Sequence, residues 1–128
     1  MRAIVILATL LGGCSQALVT GSNKDPRAPV ALTDSQVGHV QTVVARTLKD
    51  PDSARFDSIL AGRTSDGRMF VCGWVNAKNT FGGYVGRQPF SGRLTDGAFA
   101  LSHVGSDYML RAFIQDQCGG LGEYYWNT

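Results

Sequence analysis

The segment whose residue types best suit chemistry is Asn76-Ala77-Lys78-Asn79-Thr80-Phe81-Gly82-Gly83-Tyr84. It combines amides, an ammonium group, a glycine pair and two aromatic rings, and Arg87 adds a guanidinium close behind. Backbone N–H groups exposed beside Lys78 would hold an anion, and Tyr84 would stack on a sugar. Asn76, Lys78, Asn79, Tyr84 and Arg87 therefore form the candidate binding surface. The same residues also suit a purely structural turn. Gly82-Gly83 would supply positive φ, Asn76 and Asn79 would close the turn with side-chain hydrogen bonds, and Phe81 and Tyr84 would enter the core. The spacing is not that of a G-x-x-x-x-G-K-[ST] phosphate loop.

Other reactive residue types do not assemble into a motif. Asp50, Asp52 and Asp57 are close in sequence, but acid–base carboxylates need a fixed separation across a cleft. Asp50-Pro51-Asp52-Ser53 reads more simply as a helix stop followed by a one-turn start, since a residue before proline is pushed out of helical dihedrals. No G-x-S-x-G nucleophile elbow occurs. Ser102, His103 and Asp107 are neighbours in sequence, whereas a triad is defined by geometry. The cysteines, with His39 and His103 far apart, lack C-x-x-C or H-x-x-x-H ligand spacing. The expectation is no catalytic residue, no metal and no cofactor.

The chain has 128 residues, of which 44% are hydrophobic and 17% charged, enough for one small buried core. A net charge of +2 with no run of like charge argues against a dedicated nucleic-acid binder, which would cluster Lys and Arg.

Periodicity places the candidate segment at the end of a strand. Thr33 to Lys49 reads as a helix: Thr33-Asp34-Ser35-Gln36 is a capping-box pattern, and Val37, Val40, Val44 and Leu48 share a face. His39 lies beside that face as a partly exposed spacer. Phe56 to Ala61 reads as a strand, Thr64-Ser65-Asp66-Gly67 as a hairpin turn, and Arg68 to Asn76 as a central strand apolar on both faces. Tyr84 to Leu94 reads as a third strand, bulged or at an edge because of Gly86, Pro89 and Gly92. Thr95-Asp96-Gly97 turns into a short strand, Ala98 to Leu101. Ser106-Asp107 caps a helix from Tyr108 to about Cys118, with Leu110, Phe113 and Ile114 on its apolar face and Gly119-Gly120 as its stop. Tyr124-Tyr125-Trp126 either packs on the sheet or forms an exposed aromatic end. The fold class expected is α+β: an N-terminal helix, an antiparallel sheet of about four strands, and a C-terminal helix.

The N-terminus carries an address. Arg2 is a short basic region, Ala3 to Leu11 an apolar run, and Gly12-Gly13 small residues before Cys14, which is the layout of an export signal. The run is about half the roughly 20 residues a spanning helix needs. Leu11-Gly12-Gly13-Cys14 resembles the lipobox of bacterial lipoproteins. That resemblance implies cleavage before Cys14, a diacylglyceryl thioether on its sulfur and fatty acylation (palmitate) of the new N-terminus. Ser15 after the cysteine favours the outer membrane in the lipoprotein sorting pattern. The expected organisation is a signal peptide over 1–13, a lipidated tether over 14–31 and a single domain over 32–128. The tether, with Gly21, Pro26 and Pro29, spans about 20–25 Å as a coil.

If Cys14 carries lipid, Cys72 and Cys118 remain as a pair in a compartment where disulfides persist. Their bond would pin the last helix to the central strand and contribute roughly 4 kcal/mol in the chain-entropy account. The alternative is two buried, reduced thiols.

Asp50-Pro51-Asp52-Ser53-Ala54-Arg55-Phe56 and Cys72-Gly73-Trp74-Val75-Asn76-Ala77-Lys78-Asn79-Thr80-Phe81-Gly82-Gly83-Tyr84-Val85-Gly86 together resemble a family of small exported proteins from bacteria and their phages. That family carries "DPxSAxF" and "CGxVNAKNxFGGYxG" motifs and a later cysteine, over roughly residues 37–118 of this chain. Trp74 stands where the family pattern has a polar residue, often Glu. The resemblance implies a fold unit and carries no chemistry.

Taken together, these features point to a non-enzymatic, lipid-anchored binding or structural module of the bacterial cell envelope. Its expected partners are the membrane, through Cys14, and an envelope protein or glycan, with no nucleic acid. The alternatives are a small hydrolase of envelope polymers, an inhibitor of one, or a phage-derived surface-exclusion factor.

Overall fold

A computed structural model describes residues 28–121. The signal segment, Cys14, most of the tether and Tyr124-Tyr125-Trp126 lie outside the described residues.

Five strands form one antiparallel sheet in the order of the chain: β1 (Ala28–Val30), β2 (Arg55–Arg63), β3 (Met69–Asn76), β4 (Gln88–Thr95) and β5 (Ala98–Val104). The expected count of about four is corrected to five. The added strand, β1, falls inside the segment read as tether and pairs Ala28 with Arg63 and Val30 with Ala61. Three residues including Pro29 carry no readable period, and proline is tolerated there because an edge strand need not donate on its outer side.

β3 is central and buried on both faces, as its two apolar sets require. Val71 and Val75 join Val40 and Val44 of helix α1 (Asp34–Ala45), together with Phe90, Leu94 and Phe99, in one core. Cys72 and Trp74 point the other way, against Ile114 and Cys118 of helix α2 (Tyr108–Cys118). The sheet thus lies between two helices, and a disulfide joins Cys72 to Cys118 across a Cα separation of 6.1 Å.

The capping box at Thr33 forms in both directions: Gln36 N–H donates to Thr33 Oγ1 at 3.2 Å, and Thr33 N–H donates to Gln36 Oε1 at 2.9 Å. α1 stops at Ala45 rather than Lys49. The last turn tightens, with Leu48 N–H bonded to the Ala45 carbonyl and the Thr47 hydroxyl donating to the Val44 carbonyl at 2.7 Å. β4 begins at Gln88 rather than Tyr84 and is interior rather than an edge, with a break in register between Ser91 and Gly92. Gly73 is required by packing: a Cβ there would collide with the Phe90 ring. On α2 only Ile114 and Cys118 are buried, so Phe113, expected in the core, is half exposed and stacks on His103.

Candidate functional site

The loop from Ala77 to Arg87 leaves the end of β3 and returns to β4. Its backbone is closed on itself. Asn79 N–H donates to the Gly83 carbonyl at 2.8 Å, Gly82 N–H to the Asn79 carbonyl at 3.1 Å, and Val85 N–H to the Ala77 carbonyl at 3.2 Å. Asn79 Oδ1 accepts from Phe81 and Gly83 N–H, and Asn76 Oδ1 accepts from Gly86 N–H. Gly82 sits at φ +82°, where side chains other than glycine are strained.

A second segment buttresses the loop. Pro51–Ser53 form a single 3-10 turn after Asp50. The Ser53 hydroxyl donates to the Asp50 carbonyl at 2.8 Å and accepts from Lys78 N–H at 2.8 Å, while the Tyr84 hydroxyl donates to the Ser53 carbonyl at 3.1 Å. The two sequence motifs are therefore one packed unit, joined through Ser53.

These bonds revise the chemistry expected of the segment. The N–H groups of Lys78, Phe81, Gly82, Gly83 and Gly86 are all spent inside the fold, so they form no open anion cradle. Tyr84 is no bare platform for a sugar: the Arg55 guanidinium lies 4.4 Å from its ring centroid and Lys78 Nζ lies 5.6 Å away. Arg87 is held by a two-pronged ion pair with Asp57, at 2.9 and 2.5 Å, and lies 4.8 Å over the Trp74 ring. Arg55 and Lys78 have no carboxylate partner among the described residues.

What the loop does present is Phe81. Its side chain is 95% exposed at the tip, with Val85 half exposed nearby. An apolar default places phenylalanine in the core, and so composition alone does not select it. The usable signal was position: Phe81 precedes the Gly82-Gly83 pair at the apex of the turn. Beneath the loop, Lys78 and Asn79 line a cleft of about 280 Å³ together with Leu48, Lys49 and Val104, and Tyr84 stands outside it.

The remaining candidates stay apart. Asp57 is engaged by Arg87, and Asp52 is exposed on the 3-10 turn. The Asp107 carboxylate caps α2 through Leu110 N–H at 3.0 Å and the His103 ring stacks on Phe113, and no hydrogen bond links Ser102, His103 and Asp107 among the described residues, so no triad forms. Among the described residues no group of three or more His, Cys, Asp or Glu is placed to hold a metal ion, and no helix is long and apolar enough to cross a membrane.

No family model, curated protein or solved structure matches this chain.

Proposed function

We propose that this chain is a bacterial lipoprotein, anchored through Cys14 and favouring the outer membrane, whose domain is a non-enzymatic binding module. The Ala77–Arg87 loop is the surface it offers, and an envelope protein or glycan is the partner. The observation that supports this reading is Phe81, an almost fully exposed aromatic ring on a loop already fixed by hydrogen bonds. An exposed ring gains nothing for folding, whereas a preorganised anchor surrenders little entropy on binding. Arg55 and Lys78, both on the Tyr84 ring of the same loop, suit a partner with an acidic rim.

The projecting tip favours one alternative over the other. A convex aromatic loop suits an inhibitor that inserts into another protein's cleft better than it suits a hydrolase.

The test compares wild type with Phe81→Ser in pull-downs from envelope extracts and in glycan-binding assays. Partner affinity should fall by roughly 30-fold, the scale of losing one interface anchor. The thermal midpoint should not move, because the ring contacts no core. Unchanged capture overturns the choice of surface. The anchor is tested separately by mass measurement of the mature protein, which must begin at an acylated Cys14.

A further inference from the structure

At the opposite end of the sheet from the loop, three arginines border the hairpin turns, Arg63 in register with Met69 and Leu94 on the α1 face and Arg93 in register with Phe70 on the α2 face. Arg63 closes β2, Arg68 opens the return of the hairpin, and Arg93 precedes the β4–β5 turn. All three line one open cleft of about 450 Å³. Arg68 and Arg93 both lie on the Phe70 ring, with guanidinium carbons 5.9 and 5.6 Å from its centroid. Arg63 reaches the Gly67 carbonyl at 3.2 Å. Two carboxylates also line the cleft, Asp66 and Asp96. Asp66 is taken by Arg68 at 2.7 Å, and neither Arg63 nor Arg93 has a carboxylate partner among the described residues.

We propose that this cleft is a docking site for the phosphate groups of anionic lipid headgroups. Guanidinium is suited to it: the planar fork pairs with phosphate in two-pronged fashion and is weakly hydrated. Phe70 and the hairpin hold the stems in place, so the fork is presented rather than searching. Topology supplies the reason that the ligand is a membrane. Ala28, the first described residue, pairs with Arg63, so the chain joins the sheet at the arginine end. A tether from Cys14 to Ala28 of the kind expected from the sequence would have a typical coil span of about 20 Å. The loop that carries Phe81 lies at the other end of β3, roughly 25 Å away at the rise of an extended strand. Headgroup contact through Arg63 and Arg93 would turn the domain so that Phe81 faces away from the anchoring leaflet. The choice of membrane rests on the anchored reading; the affinity of the cleft for phosphate headgroups does not.

The test uses the chain from Ser15 to Thr128, which contains every strand and helix described and lacks the apolar leader and lipid. It is mixed with vesicles of phosphatidylglycerol and phosphatidylcholine, or of phosphatidylcholine alone, and sedimented. Binding should require the anionic lipid and weaken as salt rises. Arg63→Gln with Arg93→Gln should lower vesicle partitioning by roughly 25-fold, about fivefold per arginine. Arg63→Lys with Arg93→Lys should restore part of it. The proposal is overturned by equal binding to both vesicles, by no binding, or by a double Gln variant that folds and binds like wild type. It is also overturned if millimolar inorganic phosphate stabilises the protein while vesicles do not, since the cleft would then serve a free anion. Because Cys14 is absent from the assay, a negative result condemns the cleft and leaves the anchor to the mass measurement.

Discussion

The two faces of the sheet are covered by helices of nearly equal length, 12 residues in α1 and 11 in α2, yet they are held by different means. On the α1 face, Val40, Val44, Val71, Val75, Phe90, Leu94 and Phe99 interlock in a continuous apolar core. On the α2 face the buried set is Cys72, Trp74, Ile114 and Cys118, joined by Leu60 and Leu121 at the margin. A polar contact, the Ser91 hydroxyl donating to Gln117 Oε1 at 2.6 Å, occupies part of that interface. α2 also leaves Tyr108 and Met109 in solvent. One helix is therefore retained by burial, and the other needs a covalent tie because its own apolar contact is thin.

The largest effect should come from breaking the burial side. Phe90 is fully buried, meets Phe56 edge-on at a centroid distance of 6.1 Å and fills the space left by Gly73. Phe90→Ala should cost about 3–5 kcal/mol, through lost transfer energy and a cavity the sheet cannot close. In chemical denaturation, α1 and the strands should be lost together in a single lowered transition. A cost near that of a surface substitution would mean that this core is not what holds α1.

Removing the tie should be somewhat milder and more local. The disulfide closes a sequence separation of 46 residues, and Cys72→Ala with Cys118→Ala should cost roughly 2–4 kcal/mol. The distinctive expectation is its distribution. By hydrogen exchange, α2 amides should open well before those of β3 and α1, since local unfolding follows the least-buried element. If both helices open at the same free energy, the contrast between the faces fails.

Much of this architecture could be read from residue order, and the failures have identifiable causes. Thr33 and Gln36 announced the start of α1, and the Asp66-Gly67 and Asp96-Gly97 pairs announced both hairpins, because these signals act within a few residues. The pairing of Cys72 with Cys118 was expected by elimination, as the two cysteines left if Cys14 carries lipid, and the bond is present. β4 was expected to be bulged or at an edge, and the bulge is the alternative that holds, with the register break at Ser91 and Gly92 in an interior strand. In the fold, the Pro89 carbonyl accepts Gly105 N–H on the β5 side, and the last register pair there is Phe90 with Val104, so the missing N–H falls just past the ladder. The loop was recognised as unusual, but the bonding through Ser53 joins residues 25 and 31 positions apart, which no local pattern encodes. The outward direction of Phe81 and the placement of Arg63, Arg68 and Arg93 at one end of the sheet likewise depend on register between strands.

The smallest effect lies in a turn that touches neither helix, and it checks that the contrast belongs to the faces. Asp66 is exposed in the β2–β3 turn, yet its carboxyl sits below the ordinary value of 3.8. The chief cause is the Thr64 hydroxyl hydrogen-bonded to it, followed by the Arg68 N–H and then the Arg68 guanidinium. A carboxylate whose folded value is depressed adds stability above its unfolded value and loses it as pH falls through the folded one. Asp66→Asn should therefore be slightly less stable than wild type at neutral pH, with the gap closing as the solution is acidified below the ordinary carboxylate range. Thermal midpoints across an acid series measure it. Added salt should shrink only the part that comes from Arg68, because screening weakens exposed charge pairs and leaves the Thr64 bond in place. A gap that persists undiminished in strong acid would mean that the asparagine disturbs the turn itself, and the Thr64 and Arg68 bonds would then be shaping the hairpin rather than favouring the ionised acid.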